Sequence, residues 1–328
     1  MLFLETLVVL RLTSNLSITL FVREIFQKTV LKPVSFKGIG LHTGKKSKVK
    51  ILPGNDEDGI IFKRVDLKNN NLIPANYKNV CSTTLSTTLQ NKYGVKVSTV
   101  EHLLASLYIA GIDSAIIEID NEEIPIMDGS AKDFLEILKK TKTKQLNKKI
   151  KYLKVLEKIE LVDGTRKIRI EAKDSFEVDF ELNYSNKIIG KQRNKIDFET
   201  GDLKDIEESR TFCLYDDIQK IKKMGLAKGG TLENAIVVDN EKIINEGGLR
   251  NQKEFVNHKI LDLAGDFLLS GYKILGSVYC CQGGHQLTNQ FLHKLLKSKI
   301  KYQTFEFDKK IIDQGKSLRP HLKLAVSA

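Results

Sequence analysis

Two periodicities, and the order in which they appear, constrain this chain most. Alternating apolar and polar residues, the period of a half-buried strand, come first; apolar residues spaced three and four apart, the period of an amphipathic helix, come after. The sequence does this twice. In the first half, TVLKPVSFKGIGLHTG, KSKVKILP and GIIFKRVDL read as strands punctuated by Gly38, Gly40 and Gly44. VSTVEHLLASLYIAG follows, with Val100, Leu103, Leu104 and Leu107 at helical spacing. It predicts a helix over 99–110, capped by Ser98 or Thr99 and ended by Gly111. A strand (SAIIEID), a turn (EEIPIMDGS) and a helix (AKDFLEILKK) complete this half. The second half restarts with KVLEKIELV, GTRKIRIEA and SFEVDFELNY, the first two joined by the hairpin signal Asp163-Gly164. Helices are expected over about 216–224, over EFVNHKILDLAGDFLLSG, and after the buried strand YKILGSVYCC and the Gly-rich turn of GGHQLTNQFLHKLLK. Strands first and helices after argue for an α+β fold, not doubly wound βαβ units. The halves share element order only; no repeat of residues is evident.

At 328 residues the chain has room for about two domains and a sizeable core. Its 41% hydrophobic and 29% charged residues exclude a disordered chain, a collagen and a disulfide-dense miniprotein. The net charge of +12 suggests an anionic partner, without choosing among nucleic acid, phosphorylated metabolite and membrane surface. Eight lysines and no acid fall between Lys139 and Lys154, which reads as a solvated linker closing the first half. A nucleic-acid patch is a second reading, though the stretch lacks the interleaved aromatics of such a module, and a surface facing anionic lipid is a third.

Cys81, Cys213, Cys280 and Cys281 form no C-x-x-C pair, which argues against a thiolate zinc site and for a reducing, cytoplasmic setting. Residues 1–26 are apolar but broken by Glu5 and Arg11, too short and polar in any uncharged run to span a bilayer. They also lack the regions of a signal peptide. A peripheral anchor, a cleaved presequence and a non-native start of translation are all compatible with them.

Among six histidines, three stand where chemistry is plausible. His258 and Asp262 are four residues apart, so on a helix they project about 40° apart on one face, with Asp266 one turn further on. An imidazole and a carboxylate so placed can share a metal ion, zinc being the usual choice. An ordinary surface pair satisfies the same spacing. Glu101 precedes His102 on the first apolar helix, where a histidine ligand and a neighbouring base would suit a hydrolytic site. An exposed acid beside a half-buried histidine is the plainer alternative. His285 follows Gly283-Gly284 at a strand-to-helix turn, a position for an acid or for a mere helix start. Gly229-Gly230-Thr231 could cradle a phosphate but reads more simply as a turn. His42 in GLHTG suggests a hydrogen-bonding role, His293 on an apolar helix looks structural, and His321 follows Pro320 in the tail.

These signals stand in a familiar order. GIGLHTG (38–44), STVEHLLASLYIAGID (98–113), EIPIMDGSA (123–131), SRTF (209–212), GLAKGGTLENAIVVD (225–239), NEGGLRNQKEFVNHKILDLAGD (245–266) and GGHQLTN (283–289) together resemble the UDP-3-O-acyl-N-acetylglucosamine deacetylase family, zinc amidases of lipid A biosynthesis. The resemblance runs from about residue 28 to the C-terminus. It implies two domains of similar β-α-α-β sandwich topology, 27–145 and 146–328, with the active site between them and residues 1–26 outside. It implies one catalytic Zn2+ held by His102, His258 and Asp262. It further implies Glu101 as general base, His285 as general acid and electrostatic stabiliser, Asp266 as its orienting carboxylate, and Thr211 as the hydrogen-bond donor to the tetrahedral intermediate. Phe212 and Lys259 match contacts to the sugar. Tyr215, Ile218, Ala227, Leu232 and Ala235 match the apolar passage for the 3-O-acyl chain. The implied partner is a UDP-linked acylated amino sugar, with no nucleic acid, a monomeric cytoplasmic enzyme and peripheral contact with the inner membrane.

Two positions depart from the family pattern. Gln282 stands where many members carry a basic residue near the diphosphate, so Lys259 or a lysine of the 139–154 stretch would have to compensate. Ser86 stands where some members carry a cysteine near the metal, which implies weaker inhibition by excess zinc. A non-catalytic UDP-sugar or lipid sensor is a competing reading, which the presence of Glu101 disfavours, since a pure binder needs no base. A nucleic-acid-binding protein rests on the net charge alone.

Overall fold

A computed structural model of the chain describes residues 25–307, together with two three-residue strands, Val8–Leu10 and Phe21–Arg23, paired antiparallel. His321 and most of the N-terminal extension lie outside the described residues. The described chain is mixed α+β, with several sheets and six helices. The helices are α1 (Glu101–Ile109), α2 (Lys132–Lys139), α3 (Lys204–Glu207), α4 (Tyr215–Lys223), α5 (Glu254–Leu268) and α6 (His285–Lys297). None is long and apolar enough to cross a membrane.

The first half carries a five-stranded sheet in the order Val34–Ile39, Lys46–Pro53, Ala115–Ile119, Ile60–Arg64, Leu72–Pro74. Its pairs are antiparallel except that Ala115–Ile119 runs parallel to Ile60–Arg64. In Lys46–Pro53, Ser47, Val49 and Ile51 are buried while Lys46, Lys48 and Lys50 face out, the alternation of a sheet with one wet face. The second half is built around Lys273–Cys281. That strand pairs antiparallel with Arg166–Glu171, parallel with Phe176–Asn183, and parallel with Tyr152–Val155 through its first residues. It is buried continuously over Ile274–Gly276 and on alternate positions after that, with Cys280 at 0% exposure. All four cysteines are free.

Several expectations shift. The lysine-rich stretch is no free linker: Thr143–Lys149 is a strand antiparallel to Phe26–Val30, with Lys148 paired to Glu57 at 2.9 Å. Only Leu146 of that strand turns fully inward, so its apolar alternation is invisible among the lysines. KVLEKIELV splits into two strands, Tyr152–Val155 and Ile159–Asp163. Helix α1 starts at Glu101 without a side-chain cap; Thr99 instead sits at φ 55° and donates its hydroxyl to Glu123 at 2.9 Å.

Buried apolar side chains from both halves form one contiguous cluster running from Val30 to Leu295. Helices α1 and α5 cross inside it. Their approach depends on Gly265: a Cβ there would stand 2.1 Å from the Glu101 carbonyl oxygen. That crossing sets the faces of the two helices against each other.

Candidate metal centre and acyl passage

Helical spacing along α5 stacks His258, Asp262 and Asp266 on the face turned to α1, and α1 opens with Glu101 and His102. All five are buried. His102 Nε2 and His258 Nε2 each lie 3.4 Å from Asp262 Oδ1, with the two imidazoles edge to face at 4.9 Å. His258 Nδ1 lies 3.1 Å from the Ser209 carbonyl oxygen, an acceptor only, so Nδ1 carries the proton and the Nε2 lone pair points at Asp262. The ligand atoms of His102, His258 and Asp262 lie within 4.8 Å of one another.

This arrangement suits a cation. Asp262 Oδ1 is buried and has no hydrogen-bond partner, while Lys259 Nζ donates to the other carboxylate oxygen, Oδ2, at 2.8 Å. An unsatisfied buried carboxylate oxygen facing two imidazole nitrogens is costly unless a positive centre joins them. Two neutral histidines and one carboxylate match the N/O donor set of a three-ligand site with an open position. Electrostatics agree. Burial pushes His258 down to about 3 against the pull of Asp262, so it is a neutral ligand. Burial works against ionised Asp262, but His258 and Lys259 hold its carboxyl well below the usual carboxylate range.

Next to the triad, Glu101 Oε2 accepts the Thr87 backbone N–H at 3.0 Å, and Oε1 lies 3.5 Å from His285 Nε2. His285 is the first residue of α6, and its Nδ1 meets Asp266 Oδ2 at 2.8 Å. Asp266 Oδ1 is held by the Thr87 hydroxyl at 2.7 Å. Burial opposes charge on His285, but Asp266 and Glu101 overcome it and raise the imidazole to about 10. Burial raises Glu101, with His285 and His102 pulling it back.

A pocket of about 30 Å³, roomy enough for water, is lined by Glu101, His102, Thr211, His258, Lys259, Asp262 and His285. The Thr211 hydroxyl has no protein partner among the described residues. Its backbone is pinned by Gly129 O at 2.8 Å and by Ile236 N, also at 2.8 Å. Thr211, Lys259 and His285 also line a second cavity of about 610 Å³. All five residues matched to the acyl passage, Tyr215, Ile218, Ala227, Leu232 and Ala235, line this larger space, as does Phe212. Its wall is the parallel pair Phe212–Leu214 and Ile236–Val238, roofed by α4. Phe212 packs edge-on against Phe255 at 4.9 Å, under Lys259 Nζ at 5.6 Å.

Every site residue expected from the sequence is therefore in one region. Other parts are given no role by the sequence: Thr87, the Ser209 carbonyl, and a buried pair behind it, although Ser209, Arg210 and Glu254 lie within the SRTF and NEGGLRNQKEF blocks. Glu254, 0% exposed, accepts from Arg210 Nε at 2.8 Å and from the Arg250 backbone N–H at 2.6 Å. Arg250 in turn reaches Asp128 of the MDGS turn at 2.7 Å. The Gly229-Gly230 turn is structural: a Cβ on Gly229 would lie 2.3 Å from Gly40 O, so glycine lets it nest against the GLHTG loop. Glu123 holds that loop through the His42 and Thr43 N–H groups at 2.8 and 2.7 Å. His293 packs on Tyr77 at 4.8 Å, a contact between two half-buried rings. Gln282 spends its side-chain amide on Asn183 O at 2.8 Å. Ser86 lines neither cavity.

Non-glycine residues in the left-handed region gather here. Leu85 (φ 60°), Thr99 (φ 55°) and Ala227 (φ 52°) line the two cavities, and Gln282 (φ 51°) precedes the His285 turn. Such backbone costs of order 1–3 kcal/mol per residue and persists where function demands the shape.

Comparison with known proteins agrees with the geometry. Residues 27–297 match the LpxC family, UDP-3-O-acyl N-acetylglycosamine deacetylase. The chain is 41% identical over 288 residues to a UDP-3-O-acyl-N-acetylglucosamine deacetylase of Shewanella frigidimarina, covering 87% of this chain and 94% of that protein. Proteins of the same name from Shewanella baltica and Shewanella oneidensis are 39% identical over the same shares. The chain belongs to the UDP-3-O-acyl-N-acetylglucosamine deacetylase family of hydrolases.

Proposed function

We propose that this protein hydrolyses the N-acetyl group of UDP-3-O-acyl-N-acetylglucosamine to UDP-3-O-acyl-glucosamine and acetate, the committed step of lipid A biosynthesis, using one zinc ion. One observation carries the reading. The buried, unsatisfied Asp262 Oδ1 faces His102 and His258 beside Glu101 and His285, in a pocket sharing its wall with a large apolar-lined cavity. His102, His258 and Asp262 would hold the ion. When bound, zinc supplies Lewis acidity, acidifying water and polarising the acetamide carbonyl.

The chain's own residues divide the remaining work. Glu101 Oε2 is tied to Thr87, which leaves Oε1 to take the proton of the attacking water. Thr211, on the wall of the small pocket, donates its hydroxyl to the oxygen that gains charge as the carbonyl is attacked. His285 donates Nδ1–H to Asp266 and holds its second proton at Nε2, aimed at Glu101. From there it stabilises the developing negative charge and protonates the departing amine. Lys259 and Phe212 hold the sugar. The cavity behind them accepts the 3-O-acyl chain. In this reading residues 27–145 and 146–328 are two domains of similar β-α-α-β sandwich topology. They meet at the α1–α5 crossing, with the first supplying Glu101 and His102 and the second the rest.

The test is acetate release from UDP-3-O-acyl-N-acetylglucosamine together with bound metal, in wild type and Glu101→Gln. We expect about one zinc per chain in both proteins, and turnover in the variant reduced at least 100-fold. A fully active variant, or a wild type without metal, refutes the assignment.

A further inference from the structure

Thr99 (φ 55°) lines the small pocket and Ala227 (φ 52°) the large cavity, and bonds from both lead to one buried carboxylate. Ala227 donates its backbone N–H to His42 Nδ1 at 3.4 Å. The rest of its turn follows: the Lys228 N–H reaches His42 O at 3.2 Å and the Gly229 N–H reaches Leu41 O at 3.0 Å. The GLHTG loop therefore carries this part of the cavity wall, and its Leu41 lines both cavities. Glu123, 1% exposed, holds the loop in turn. Its Oε1 accepts the His42 N–H at 2.8 Å, and its Oε2 accepts the Thr43 N–H and hydroxyl at 2.7 and 2.6 Å. The fourth donor is the Thr99 hydroxyl, 2.9 Å from Oε1. Thr99 stands two residues before Glu101, where α1 starts without a side-chain cap of its own.

Oε1 of Glu123 is thus shared between the loop that bears the cavity wall and the segment that presents Glu101 and His102. Left-handed backbone at a non-glycine residue persists only where its surroundings over-determine it. Here the bonds at Thr99 and at Ala227 join through His42 and Glu123. A carboxylate held by four donors in a buried site is a stiff joint. A shift of the loop also moves the acceptor of Thr99.

We propose that Glu123 is a positioning residue that couples the filling of the acyl passage to the placement of Glu101. The inference rests on the reading of the large cavity as the acyl passage, and it deepens that reading. An acyl chain packed on Leu41 and Ala227 fixes the GLHTG loop. The loop, through His42 and Glu123, fixes Thr99 and the start of α1. Energy from binding the chain is then spent on aligning the general base, so it appears in kcat and not only in KM.

The test is steady-state acetate release by the metal-loaded full chain from a long-chain 3-O-acyl substrate and from its 3-O-acetyl counterpart. The proteins are wild type, Glu123→Gln, His42→Leu, Thr99→Val and the double variant His42→Leu with Thr99→Val. We expect wild-type kcat to be at least about tenfold higher with the long chain. Each single variant should lower that ratio about tenfold, and the double variant no further, because both changes cut one link. His42→Asn keeps an acceptor near the Nδ1 position and Thr99→Ser keeps the hydroxyl, so each should recover the ratio. Should Glu123→Gln fail to fold, His42→Leu and Thr99→Val decide the matter, since each leaves Glu123 its other donors. Equal wild-type kcat on the two substrates, additive losses in the double variant, or variants that lose turnover on both substrates in equal proportion overturn the proposal. The last outcome would leave Glu123 a strut. A wild type that releases no acetate from either substrate refutes the assigned reaction itself, so the two failures are distinct.

Discussion

The hydroxyl of Thr87 donates to Asp266 Oδ1 at 2.7 Å while its backbone N–H donates to Glu101 Oε2 at 3.0 Å. One residue thus holds both carboxylates that flank His285. Thr87→Val keeps the backbone bond and the shape but leaves a buried carboxylate oxygen unpaired. A hydrogen bond to a charged group contributes about 1.5–3 kcal/mol. We therefore expect kcat to fall about 10- to 100-fold with KM little changed. Steady-state acetate release checks this; unchanged kcat would show that Asp266 needs no such support.

Gly265 is the second point of leverage. A methyl group there would meet the Glu101 carbonyl oxygen at 2.1 Å, so Gly265→Ala must push α1 and α5 apart. Overpacking of this kind costs about 1–3 kcal/mol, and here it also displaces Glu101. Thermal denaturation should show a lower midpoint and kinetics a lower kcat. A variant as stable and active as wild type would mean the two helices slide past each other freely.

Glu254 acts at one remove from the metal centre. It fixes Arg210, whose neighbour Ser209 orients His258 through its carbonyl. Partners of ligating histidines typically change metal affinity 10- to 100-fold when lost. Glu254→Gln is expected to weaken metal binding within that range, measured by competition with a chelator. Should only thermal stability fall, with metal affinity intact, the pair is a strut and nothing more.

Acid stability depends on a site far from the cavity. Glu177 accepts from Lys173, from Ser277 at 2.7 Å and from Lys195 at 2.9 Å. Burial works against its charge, yet these donors hold its carboxyl down at about 2, against an ordinary 4.5. A carboxyl depressed in the folded state stabilises the fold above its ordinary value, and that contribution is lost as pH falls from about 4.5 toward 2. Glu177→Gln should lower the thermal midpoint at neutral pH and flatten its decline over that acid window. Parallel declines in wild type and variant would remove Glu177 from the account.

The sequence made the first ligands legible because helical spacing is a local property. His258, Asp262 and Asp266 recur at four residues, so one face of α5 could be drawn before any fold was known. Glu101 and His102, by contrast, read locally as either a ligand with its base or an ordinary acid beside a histidine, since nothing local says that α1 will meet α5 at Gly265. Thr87, the Ser209 carbonyl and Arg210–Glu254 act through contacts between distant segments, and their residue types are common in ordinary loops and helix starts. The Thr143–Lys149 strand was hidden for a different reason: lysine stems can cover a sheet edge while their charges read as solvent. Lys191–Asp197 carries no legible apolar alternation because it pairs as an outer strand of mainly polar residues.

The metal triad draws His102 from α1 and both His258 and Asp262 from α5, two helices far apart in the chain that meet where Gly265 lets them touch. An ion held there would work as a removable rivet through the middle of the molecule. Its binding energy would add to the cohesion of the native state by mass action, so metal supply would govern endurance as well as chemistry. Starving a cell of the ion would then leave a loosened protein open to proteolysis, and the amount of enzyme would follow the amount of metal.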